Sequence, residues 1–166
     1  MDQMYFLDSN ILIAAKNETY PFDVFPSFWN CMEKAIKSRK AIVLDVVKKE
    51  ILKGRDELEI WLRKLNPQVI YTNEQIIIDA YSNVLEYAYS LDSIKSSAKD
   101  DWFRTMDIAD PWLIAAAMAY NGKIVTNETD IKLNVKKRLI IPNIASYFCI
   151  ECIKVPQMYR ELNMMI

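Results

Sequence analysis

Residues 5–13 read YFLDSNILI, and one carboxylate, Asp8, stands directly behind an apolar run. Tyr5, Phe6 and Leu7 show no polar alternation, so the run suits a strand buried on both faces of a parallel sheet better than one half exposed to water. An acid at that point closes the strand. Because ligands meet parallel sheets at the carboxyl ends of their strands, Asp8 is the first candidate for chemistry.

The same punctuation recurs along the chain. Residues 41–45, AIVLD, form a second apolar run closing on Asp45, which reads as the N-cap of a helix through VVKKEILK, with Gly54 able to end it. Residues 123–126, KIVT, are a third such run, followed by the polar cluster NETD. Between them the periodicity is helical. Phe28, Trp29, Met32, Ala35 and Ile36 share a face that runs into the basic KSRK (Lys37 to Lys40), and RDELEIWLRKLN is amphipathic and stopped by Pro67. NEQIIIDAYSNVLEYAYSL is a long helix, and DIADPWLIAAAMAYNG sets Asp110 before Pro111, the expected N-cap and first turn of a nearly all-apolar helix. QVIYT reads as a strand or a connector, DSIKSSAKDDWFRTM resists assignment, and the tail offers one or two short strands and two short helices. Strands alternating with helices predict an α/β fold with a parallel sheet covered on both faces. With 166 residues and no internal repeat, one domain over residues 1–166 is expected.

Composition removes many chemistries. The sequence contains no histidine, which excludes Ser-His-Asp and Cys-His arrangements and every His-ligated metal. Its two glycines, Gly54 and Gly122, cannot write a P-loop or a dinucleotide fingerprint. A net charge of −1 means that any nucleic-acid binding is local rather than surface-wide. An odd three cysteines argue against a disulfide framework, and Cys149-x-x-Cys152 lacks the further ligands of a zinc site, so small buried hydrophobes are the preferred reading there. No apolar stretch reaches the roughly 18 residues of a spanning helix, and Met1-Asp2-Gln3 lacks a basic signal start, so a cytoplasmic protein with no membrane partner is expected.

If the protein is an enzyme, its carboxylates carry the chemistry. Asp8, Glu128 and Asp110 can meet at one sheet edge, and Glu50 can join from its helix. Four gathered acids repel one another unless a cation neutralises them. Mg2+ or Mn2+, as one or two ions, is the natural choice for such oxygen ligands, and it supports hydrolysis of a phosphodiester without histidine.

These motifs resemble those of PIN domains. YFLDSNILI is similar to their opening strand with its Asp and a polar residue two places on, here Asn10. DVVKKEILKG resembles their helix with an inward-reaching Glu, here Glu50, and ADPWLIAAAMAYNGKIVTNE resembles their Asp-led apolar helix, strand and Thr-x-acid turn. FDVFPSFWNCM with ADPWLIAAA is similar to a PIN subfamily long described only as a domain of unknown function. The resemblance implies a three-layer α/β/α fold with a mainly parallel central sheet. It also implies a metal-dependent endoribonuclease leaving 5′-phosphates, the toxin of a toxin–antitoxin pair in the manner of VapC-like enzymes, with RNA as substrate and an antitoxin as partner. By carry-over Asp8, Glu50, Asp110 and Glu128 are the catalytic metal ligands, and Asn10 and Thr126 support them by hydrogen bonds. The fourth position is more often Asp in the family, and Asp107 and Asp130 are rival acids nearby.

Each motif also has a plainer reading: a turn, a cap or a solvated helix acid. The rival function is a non-cleaving PIN-fold module that binds RNA or protein, its metal site weakened by Glu128. The basic runs KSRK and KKR (Lys136 to Arg138) are solvated surface or a phosphate grip. Tyr20, Phe22 and Phe25 are core packing or a platform for bases or an antitoxin helix. The Met-rich end MYRELNMMI packs on the sheet or offers a surface to a partner or a second copy.

Overall fold

The structure, a computed structural model, describes residues 3–129 and 139–165. Asp130 and the basic run Lys136 to Arg138 lie outside the described residues. Among the described residues the strands are β1 (Tyr5–Leu7), β2 (Ala41–Ile42), β3 (Lys123–Val125) and β4 (Cys152–Ile153), all parallel and ordered β2-β1-β3-β4. Tyr5 is in register with Ala41 on one side and Lys123 on the other, and Ile124 with Cys152 beyond. Every residue of β1 is buried, as an apolar run without alternation requires.

The helices are α1 (Ser9–Ala14), α2 (Pro26–Lys37), α3 (Asp45–Leu52), α4 (Glu57–Leu65), α5 (Gln75–Ser90), α6 (Ser96–Phe103), α7 (Ala109–Tyr120), α8 (Ile141–Tyr147) and α9 (Val155–Glu161). A π-helical stretch, Ala15–Thr19, continues α1. From β1 the chain crosses to β2 on one side, then returns past β1 to β3 on the other. Right-handed crossovers in opposite directions place their helices on opposite faces, which gives the three layers the motifs implied. α7 is buried along almost its whole circumference between the sheet and α5, where Trp112 stacks on Tyr81 at 3.9 Å between ring centres. α2 and α9 pack together, Tyr159 donating its hydroxyl proton to the Phe28 carbonyl at 2.9 Å. Among the described residues no helix is long and apolar enough to cross a membrane.

Three local expectations are corrected. Asp45 is the first residue of α3 rather than its cap; Leu44 holds the cap position and the Asp45 carboxylate accepts from the Thr72 N–H at 3.1 Å. That bond supports the bridge between Leu44 and Ile70, which is all the strand character QVIYT acquires. Asp110 likewise lies inside the first turn of α7, behind Ile108 as cap, so its carboxylate is not spent on capping. Cys149 is exposed, because the chain turns there with φ 57° after α8; Cys31 is buried and Cys152 half-buried. The KSRK run precedes β2, at the amino-terminal edge of the sheet and so away from Asp8, where Lys37 pairs with Glu33 and Arg39 turns the chain at φ 59°.

Two of the three loop aromatics pack on α2, while Phe25, edge-on to Tyr20, is 40% exposed. Tyr20 stacks on Phe28 at 4.3 Å and Phe22 on Trp29 at 3.9 Å, so both rings extend the core around α2. The Met-rich end docks through Met158, which is fully buried.

Candidate active site

The strand order reverses direction at the boundary between β1 and β3, where the two crossovers leave on opposite faces and open a crevice at the carboxyl edge. Asp8 follows β1 there and Thr126 follows β3. The Thr126 hydroxyl donates to Asp8 Oδ2 at 2.7 Å and accepts from the Glu128 N–H at 3.1 Å, so one side chain ties both strand ends together. Asp8 also caps α1, accepting from the Asn10 N–H at 3.2 Å. Support from Asn10 thus comes through its backbone, its side chain being exposed.

Asp8 is 1% exposed. Its carboxyl is raised to about 6 overall: burial pushes it up most, the Thr126 and Asn10 bonds pull it down, and the charges of Glu128 and Glu50 push it up. Asp110, half-buried, is pushed up to about 7 by burial and then by Asp8, Glu128 and Glu50, all in the same direction. Four acids from different elements therefore share one field.

Each of the two glutamates is held by a group the sequence did not single out. Buried Ser9 donates its hydroxyl proton to Glu50 Oε2 at 2.8 Å, anchoring an otherwise exposed helix side chain at the mouth of the crevice. Glu128 Oε2 accepts the Ile141 N–H at 2.8 Å, which satisfies a donor in the first turn of α8. Lys154, half-buried just after β4, donates from Nζ to the Glu128 carbonyl at 2.9 Å; burial lowers its pKa, while Cys152, Glu128 and Asp8 raise it. Ser9 had a signal in its place between Asp8 and Asn10; Lys154 had none, because only the pairing of β4 with β3 brings it here.

Asp107 takes another direction. It pairs with Lys49 at 3.8 Å, both side chains exposed, beside a cavity of about 490 Å³ that also includes Thr72, Tyr81 and Trp112.

Among the described residues no three of these carboxylates stand close enough to grip one ion without side-chain movement. The chemistry of the donor set nonetheless fits a hard divalent cation: every member is a carboxylate oxygen, and Asp8 and Asp110 carry excess negative pressure that a cation would relieve.

Comparison with known proteins gives a fold and a family. A chain from the crystal structure of VapBC2 from Rickettsia felis, bound to a DNA fragment from their promoter, superposes with a TM-score of 0.51 at 19% identity, over 83% of this chain and 98% of that one. That likeness bears out the PIN-like three-layer fold. No curated protein matches the sequence. A family described as a domain of unknown function (DUF4411) matches residues 5–166, and the chain belongs to that family.

Proposed function

We propose that the protein is a divalent-metal-dependent endoribonuclease, the toxin of a toxin–antitoxin pair. Asp8, Glu50, Asp110 and Glu128 hold one or two Mg2+ or Mn2+ ions in this reading. The observation that carries it is the mutual pressure on Asp8 and Asp110 at the strand-order reversal, where their charges and those of two glutamates act together. The resemblance of the motifs to PIN domains and the fold likeness to a VapBC2 chain support it.

A bound cation would supply Lewis-acid polarisation of a phosphodiester and a more acidic water. The chain's own residues set the frame. Thr126 and the Asn10 N–H fix the two oxygens of Asp8, and Ser9, the residue after Asp8, holds Glu50. Burial and the neighbouring acids raise the Asp110 carboxyl, and a bound cation would favour its ionised form. A partner protein seated over this edge would silence the enzyme by keeping RNA out.

One observation favours a non-cleaving binding module instead: Glu128 commits Oε2 to the Ile141 N–H. Incubation of purified protein with a mixed RNA pool in Mg2+, Mn2+ or EDTA, with Asp8→Asn as control, decides between them. Metal-dependent fragments with 5′-phosphates, lost in the variant, are expected. Intact RNA in every condition, from folded protein free of partners, would overturn the nuclease reading.

A further inference from the structure

Beside the acidic edge, on the side of Asp8 and Glu128, lies a cavity of about 260 Å³. Its walls include Ile11, Tyr20 and Phe28, and its polar groups are Thr19, Asn127 and Lys154. The cavity adjoins the acids through covalent neighbours: Asn127 sits between Thr126 and Glu128, and Ile11 is in α1, which Asp8 caps. Its size, just below the roughly 300–1,000 Å³ of ligand pockets, suits one small planar group rather than a length of chain.

Three features specify what fits. The walls are apolar and aromatic, with Tyr20 held rigid by its stack on Phe28. The Asn127 amide offers a donor and an acceptor together, the pattern that reads the edge of a nucleobase. Lys154 brings an ammonium to the boundary between cavity and acids, where Glu128 and Asp8 act on its charge, and its bond to the Glu128 carbonyl uses one of three ammonium donors. An apolar slot with an amide at its rim and an ammonium toward the acidic edge matches a base followed by its phosphate.

Resting on the endoribonuclease reading, we propose that this cavity is the subsite for the nucleoside adjoining the scissile phosphate, with Asn127 and Thr19 reading the base and Lys154 binding the phosphate. The carboxylates are then the cutting centre and this cavity a source of base preference. Lys154 acts as a positioning residue.

The test is binding, separated from cutting. Anisotropy of labelled single-stranded homopolymers of adenine, cytosine, guanine and uracil is measured with Ca2+ present and with RNA integrity checked, for wild type, Lys154→Met, Lys154→Arg and Thr19→Trp. Wild type is expected to prefer one base. Lys154→Met should bind all homopolymers about tenfold more weakly, with the salt slope flattened by about 0.7 for the lost phosphate contact. Lys154→Arg should recover most of both, and Thr19→Trp, which fills the mouth of the cavity, should abolish the preference while keeping the salt slope. Equal wild-type affinity for every homopolymer, or unchanged affinity and slope in Lys154→Met with unchanged preference in Thr19→Trp, would overturn the subsite. The nuclease reading survives that result if metal-dependent cleavage is still lost in Asp8→Asn, whereas wild-type protein that neither binds nor cuts RNA sinks both.

Discussion

Thr126 and Asp8, 118 residues apart in sequence, meet in a buried 2.7 Å hydrogen bond across the crevice between two parallel strands. The hydroxyl lowers the Asp8 pKa against the burial that raises it, and also accepts from the Glu128 N–H. Thr126→Val keeps the shape and removes both bonds. Leaving a buried carboxylate and an amide without this partner should cost about 1–3 kcal/mol in urea unfolding at pH 8, where Asp8 is charged. Carboxyl NMR should find Asp8 titrating above its wild-type value of about 6. An unchanged titration would show that the bond does not set the charge of Asp8.

The raised carboxyls fix the sign of a pH dependence. Asp8 near 6 and Asp110 near 7 both lie above the ordinary aspartate value, so between that value and 7 the folded protein binds more protons than the unfolded chain. Stability of the metal-free protein should therefore fall as pH rises from about 4 to about 7, and level off above. Asp110→Asn removes one of the repelling charges, and should be more stable than wild type at pH 8 with a flatter profile across that window. A profile that rises with pH would contradict the shared field.

Cation binding should reverse that loss. If the acids hold Mg2+ or Mn2+, adding the ion at pH 7.5 should raise the thermal midpoint of wild type in a concentration-dependent way, since the ion binds the folded chain alone. Asp8→Asn and Asp110→Asn should respond weakly or not at all. A shift of equal size in wild type and both variants would place the ion elsewhere.

The sequence made the strand ends visible because a both-faces-buried strand has no alternation and an acid behind it is conspicuous; hence Asp8, and the fold around it, could be read. Asp45 and Asp110 were placed one or two positions wrong because capping preference is local, whereas Asp45 answers to Thr72. Cys149 was expected inside, yet a left-handed turn after α8 carries it out. Lys154 was invisible because its role depends on the pairing of Val125 with Ile153, and no spacing in sequence encodes that.

Gly122 offers a test of the fold apart from the chemistry. A Cβ built there would stand 2.5 Å from the Phe6 ring, in the middle of β1. The preceding Asn121 already takes the left-handed turn, at φ 50°, so Gly122 is required for its lack of a side chain rather than for its backbone angles. Gly122→Ala should destabilise by about 1–3 kcal/mol through overpacking. Gly122→Ala combined with Phe6→Leu should recover part of the loss; no coupling between the two sites would show that the contact is not the cause.

Ser9 separates holding a carboxylate from being one. Its hydroxyl is buried and its Oγ–Oε2 distance to Glu50 is 2.8 Å, yet Glu50 itself is exposed, so the bond's main effect is on where the side chain points. Ser9→Ala removes one hydrogen bond to an ionised acceptor that water can reach, and should cost about 1 kcal/mol or less in stability. Its effect on metal-dependent RNA cleavage should be larger, a drop of about tenfold or more, because Glu50 then samples rotamers facing solvent. Raising the Mn2+ concentration should restore part of the rate in Ser9→Ala, since the carboxylate is still present, and none in Glu50→Ala. Equal response of the two variants to Mn2+ would mean that Ser9 does not act by positioning Glu50.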